Sequence, residues 1–109
     1  EHGRKNLIEG KWESGQSVVV IEDLISSGNS SLAAVKALRD SGLKVNGMGA
    51  IFSYGFEHAK KSFEEASCEL FTLGNYDILI DKALETKYIS KNDVKMLKEW
   101  REDPSIWNK

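Results

Sequence analysis

Val18, Val19, Val20 and Ile21 form an unbroken aliphatic run that passes directly into two acids, Glu22 and Asp23, and then into a turn of small residues. An apolar run of that length without polar alternation reads as a strand buried on both faces, as central strands of parallel sheets are. The acids then fall at its C-terminal end, where open α/β sheets place their ligands. Ser26, Ser27, Gly28, Asn29 and Ser30 supply small side chains, hydroxyls and backbone N–H groups just before a predicted helix. Backbone N–H groups gathered at a helix N-terminus form a cradle for an anion.

A strand, a small-residue turn and a helix also follow one another where nothing is bound, and the pattern alone leaves both readings open. The acid pair bears on the choice. Carboxylates beside an anion repel it unless they serve another group, and an ionised carboxylate can only accept hydrogen bonds. A vicinal diol meets that need while the backbone amides hold a phosphate some distance away. Ribose 5-phosphate carries both groups.

The rest of the chain repeats the alternation. A helix is predicted from Asn29 or Ser30 to about Ser41, with Leu32, Val35 and Leu38 on one side and Gly42 as its stop. Residues 44–52 read as a second buried strand bearing Val45, Met48, Ala50 and Ile51. Residues 56–66 place Phe56, Ala59, Phe63 and Ala66 at helical spacing, residues 69–73 read as a short strand, and residues 78–85 as a weakly marked helix. Ser90 and Asp93 match a capping box for a last helix with Val94, Leu97 and Trp100. Residues 6–15 look like a short arm and turn. Strands alternating with helices imply parallel pairing through right-handed crossovers, so the expected class is α/β: an open parallel sheet with flanking helices, in one unit.

Composition narrows the chemistry. The 109 residues are 40% hydrophobic and 29% charged, ordinary for a globular domain. A formal net charge of −2 gives no general pull toward nucleic acid or an anionic membrane, and neither is expected as a partner. The lone Cys68 excludes an internal disulfide, and with only His2 and His58 to join it a structural zinc site is not expected. The longest apolar runs are of strand length, no signal peptide is visible, and a cytoplasmic location is the expectation.

Several residues lean toward ordinary structural roles. Phe52, Tyr54 and Phe56 alternate after a strand and suit either a core or a planar base. His58 falls on a polar helix face, and Trp100 and Trp107 flank Pro104 in what reads as a C-terminal clasp. Asp77, Asp81 and Glu85 have the spacing of a solvated helix face.

The stretch Glu22-Asp23-Leu24-Ile25-Ser26-Ser27-Gly28-Asn29-Ser30 resembles the phosphoribosyl-pyrophosphate signature of the type I phosphoribosyltransferases. Its wider context resembles the bacterial orotate phosphoribosyltransferases. Residues 1–10, EHGRKNLIEG, resemble the mobile catalytic loop and following arm of those enzymes; residues 50–63 resemble the strand and helix after the signature; residues 97–107, LKEWREDPSIW, resemble their C-terminus. Subunits of that family are longer, with an N-terminal half supplying a hood over the base, further strands and a pyrophosphate-binding loop. The resemblance therefore implies an incomplete type I phosphoribosyltransferase core, the C-terminal portion of the domain, with residues 1–10 a remnant of the catalytic loop.

What the resemblance implies for function is transfer of ribose 5-phosphate from phosphoribosyl pyrophosphate to orotate, giving orotidine 5′-monophosphate and pyrophosphate in pyrimidine biosynthesis. It marks Glu22, Asp23 and His2 as catalytic candidates. It assigns His2, Glu22, Asp23, Leu24, Ile25, Ser26, Ser27, Gly28, Asn29 and Ser30 to phosphoribosyl pyrophosphate, and Ser26 also to orotate. Magnesium is the implied cofactor, bridging pyrophosphate oxygens and ribose hydroxyls with no direct protein ligand. A homodimer is implied, and the missing N-terminal half is expected to be required for turnover. Asn29 departs from the pattern, standing where the family usually has a second glycine; asparagine is the least costly replacement if the position needs a positive φ. A lysine and an arginine expected just before Glu1, and an arginine that other branches use for the orotate carboxylate, are absent from this chain. A regulatory nucleotide-binding relative without catalysis, another type I phosphoribosyltransferase, and a generic mononucleotide-binding module are the alternatives.

Overall fold

The computed structural model describes residues 8–107. His2 and most of the loop expected over residues 1–10 lie outside them. The order is β1 (Ser17–Ile25), α1 (Asn29–Asp40), β2 (Lys44–Ser53), α2 (Glu57–Glu65), β3 (Leu70–Asn75), α3 (Tyr76–Glu85), α4 (Lys91–Glu102) and a 3₁₀ turn (Pro104–Ile106). The strands form a parallel sheet in the order β1-β2-β3. Val20 lies beside Met48, and Met48 beside Leu70.

One face of this sheet is the core. Ile25, Val45, Met48 and Ala50 pack there against Val35 of α1, Phe63 of α2 and Cys68, with Val18, Val20, Leu32 and Leu38 around them. Met48 is wholly buried, and a side chain of that size contributes about 1.5–3 kcal/mol on burial. Burial also pushes the Cys68 thiol pKa up, as fits a small core residue.

The opposite face differs from the expectation. Val19, Ile21, Ile51, Phe71 and Leu73 are 51–83% exposed there, so β1 alternates instead of being buried on both sides. The physical reason is that α1 and α2 both cover the same face, and among the described residues nothing covers the other.

The C-terminal helices close one end of the sheet. The Tyr54 ring lies 5.5–5.9 Å from those of Phe56, Tyr76 and Trp100, and Tyr76 Oη donates to the Leu97 carbonyl at 2.9 Å. Ser90 and Asp93 form the expected capping box at the start of α4. Trp100 thus packs, whereas Trp107 is exposed. Arg39, in the last turn of α1, donates to the carbonyls of Ala66 and Ser67 just past α2, satisfying acceptors that a helix end leaves unpaired.

Candidate functional site

β1 continues through Ile25, so Glu22, Asp23, Leu24 and Ile25 are strand residues and only Ser26, Ser27 and Gly28 form the turn. Glu22 is paired in register with Ala50, Leu24 with Phe52 and Ile25 with Ser53. Ile25 is fully buried and anchors the turn to the core; Leu24 and Ser26 are exposed.

Gly28 caps α1 with φ 84° and ψ 0°, a left-handed conformation that favours glycine. Its carbonyl accepts the Leu32 amide at 2.8 Å. A Cβ placed on Gly28 would stand 2.7 Å from the buried ring of Phe63, so the turn rests directly on that ring. Asn29 already belongs to α1 and has no positive φ. The glycine requirement of the turn is met one residue earlier, and asparagine is unstrained where it stands. The Asn29 amide donates to Ser27 Oγ at 3.2 Å, and no side chain caps the α1 terminus, whereas Asn75 and Ser90 cap α3 and α4. The remaining first-turn N–H groups of α1 point past the turn with no helical acceptor.

Consecutive strand residues face opposite ways, and the acids follow that rule. Glu22 is half-buried beside the first turn of α1, where its Oε1 accepts the Ser31 hydroxyl at 3.0 Å. Asp23 is exposed and turned toward the uncovered face. The acids therefore flank the end of β1 instead of projecting together.

Beyond Ser26 lies an open cleft of about 670 Å³, whose lining includes Tyr54, Phe56, His58, Trp100 and Ser105. The Phe52, Tyr54 and Phe56 series reaches it from the core side, with the exposed His58 imidazole stacked on Phe56 at 5.4 Å. Among the described residues, no three His, Cys, Asp or Glu side chains are grouped to hold a metal ion. Asp77 is exposed, as expected of a solvated face, and is in addition paired with Arg101, whose hydrogen bond lowers the pKa of its carboxyl. Ser31 was the other residue missed; its signal was a hydroxyl in the apolar stripe that continues through Val35 and Leu38.

No family model matches the chain. Over its 109 residues it is 52% identical to an orotate phosphoribosyltransferase of Listeria innocua, a match covering 100% of this chain and 52% of that protein. The chain belongs to the orotate phosphoribosyltransferase family. It spans about half the length of the curated relatives it matches. The orotate phosphoribosyltransferase of Mycobacterium tuberculosis, solved in complex with 5-phospho-α-D-ribosyl 1-diphosphate, is 31% identical, with a TM-score of 0.56 over 62% of this chain and 41% of that one. A Leishmania donovani UMP synthase, 21% identical, shares the fold with a TM-score of 0.72 over 85% of this chain and 21% of that one. The parallel sheet with flanking helices is thus that of the orotate phosphoribosyltransferases and their type I relatives, and the segment 22–30 stands at the C-terminal end of its first strand. Among the described residues, no helix is long and apolar enough to cross a membrane.

Proposed function

We propose that this chain is the ribose-phosphate-binding portion of an orotate phosphoribosyltransferase, which transfers ribose 5-phosphate from phosphoribosyl pyrophosphate to orotate and releases pyrophosphate. The observation that carries the reading is the segment 22–30 itself: a carboxylate on each side of the end of β1, then a turn seated on Phe63, then a helix start without a side-chain cap. The 5-phosphate would rest on the amides of Ser27, Gly28 and Ser30, favoured by the partial positive charge of the α1 terminus. A ribose lying across the end of β1 meets Glu22 on one side and Asp23 on the other, each able to accept from a hydroxyl.

As pyrophosphate leaves, positive charge grows at the anomeric carbon, and fixed carboxylates nearby favour it electrostatically. Ser26 faces the cleft beyond the turn, where it would meet the orotate ring. Leu24 and Ile25 carry the strand into the turn and fix its course. Magnesium fits this set only as an ion held mainly by ligand oxygens, where it would neutralise charge on the leaving pyrophosphate. His2 would meet that same leaving group. The working form is a cytoplasmic homodimer of the complete enzyme, in which the N-terminal half supplies the rest of the pyrophosphate and base contacts.

The test fuses this chain behind the N-terminal half of the Listeria innocua relative and assays the purified protein with phosphoribosyl pyrophosphate, orotate and magnesium. Orotidine 5′-monophosphate is expected from the fusion and not from the 109-residue chain alone. A folded fusion that binds no phosphoribosyl pyrophosphate overturns the assignment, and robust turnover by the chain alone overturns its being a portion of the site.

A further inference from the structure

We infer that Ser31 is a positioning residue that sets the Glu22 carboxylate for the ribose diol before any ligand arrives. The inference rests on the function proposed above and adds a residue outside the segment 22–30. Ser31 is 3% exposed, in the first turn of α1, and points into the protein along the stripe continued by Val35. A hydroxyl at such a place is unfavourable unless it is hydrogen-bonded, and its bond goes to Glu22 Oε1 at 3.0 Å. The ionised carboxylate only accepts, so the serine is the donor.

The consequence falls on Glu22. A glutamate near the end of a strand otherwise samples many rotamers and must lose that freedom on binding. Ser31 takes one oxygen and fixes the side chain, leaving Oε2 to accept from the diol; preorganisation of this kind improves affinity and orientation without a new ligand contact. Asp23 is exposed on the other side of the strand, so the acids are unequal: one held, one adaptable. Ser31 also belongs to the helix whose first amides form the phosphate cradle. A single rigid turn thereby fixes the spacing between the phosphate end and the diol end of the ligand.

The test compares binding of inorganic phosphate and of ribose 5-phosphate to the fusion described above and its variants by ³¹P NMR titration, with a thermal melt for each protein. Ser31→Ala is expected to melt as the parent does, to keep its affinity for inorganic phosphate, and to lose roughly tenfold in affinity for ribose 5-phosphate, the scale of one hydrogen bond to a charged group. Ser31→Thr, which keeps the hydroxyl, restores it. In a Glu22→Ala background, Ser31→Ala causes no further loss, which a purely structural role does not predict. Unchanged ribose 5-phosphate binding in Ser31→Ala, an equal loss of both ligands, or a full loss persisting beside Glu22→Ala overturns the inference while leaving the proposed function standing. Failure of the parent fusion itself to bind ribose 5-phosphate counts against the function and overturns the inference with it.

Discussion

Arg101 grips Asp77 with both arms of its guanidinium, Nη1 and Nη2 each 2.9 Å from a carboxylate oxygen. The pair ties α4 to the first turn of α3, and Nη1 also lies 3.5 Å from the Tyr54 carbonyl, at the loop that lines the cleft beyond Ser26. The C-terminal helix is therefore fastened to the loop beside the candidate site by a planar fork that lysine could not reproduce.

That pair gives a pH signature. The Asp77 carboxyl is lowered chiefly by the Arg101 hydrogen bond, with partial burial opposing. A carboxyl lowered in the folded state adds stability above its unfolded value of about 3.9, and the gain is lost as pH falls through the folded value. With Asp77 half exposed, the contribution is on the order of 0.5–1 kcal/mol. Asp77→Asn should lower stability at neutral pH by that amount, and urea melts repeated at decreasing pH should show the difference shrinking below about pH 4.

Gly28→Ala should be among the most damaging single-methyl changes in the chain. The left-handed backbone costs a β-carbon about 1–2 kcal/mol, and the added atom would also press on the buried Phe63 ring. Phe63→Leu in the same protein should relieve the clash and leave the backbone strain. Chemical denaturation of the two single variants and the double variant measures this coupling; strict additivity would show that the turn does not rest on the ring.

Much of the fold was legible in the sequence because periodicity and caps are local. The helix predicted from Asn29 appears as α1, the strand predicted over 44–52 as β2, and the capping box at Ser90 and Asp93 as drawn. What escaped depends on partners far along the chain. The aliphatic run at Val18 fits a strand covered on both faces equally well, and nothing local says that a second layer is not among these residues. The Arg101 to Asp77 grip and the Arg39 contacts beyond α2 join residues whose spacing carries no signal. Within the segment 22–30 the residues were legible, but which of them took the left-handed conformation, and which acid was tethered, only the packing of Phe63 and Ser31 decided.

The acids should matter for turnover and little for folding. Glu22→Gln with Asp23→Asn in the complete fusion enzyme is expected to cut turnover roughly a hundredfold or more, because neutral amides cannot favour a developing cation as carboxylates do. Glutamine can still accept from Ser31, so the melting temperature should hold. Steady-state kinetics beside a thermal melt checks both halves of the statement, and near-normal turnover removes these residues from the chemistry.

The uncovered sheet face predicts association. Val19, Ile21, Ile51, Phe71 and Leu73 form a patch of the kind that soluble monomers rarely expose. The isolated chain should self-associate in dilute buffer, and replacing Ile21, Phe71 and Leu73 together by threonine should return it toward monomer. Light scattering across a dilution series reads the outcome; a stable parent monomer contradicts it.

The strand order has a topological consequence. Successive right-handed crossovers that step the same way across a sheet must lay their helices on the same side, as α1 and α2 lie. Chain wound outward from β1 in the opposite direction would lay its helices on the other face. Where the two directions of winding diverge, the strand ends splay apart and open a crevice. Glu22, Asp23 and the turn at Gly28 stand at the end of the strand from which any such opposite winding would start, so the described residues would form one bank of that crevice.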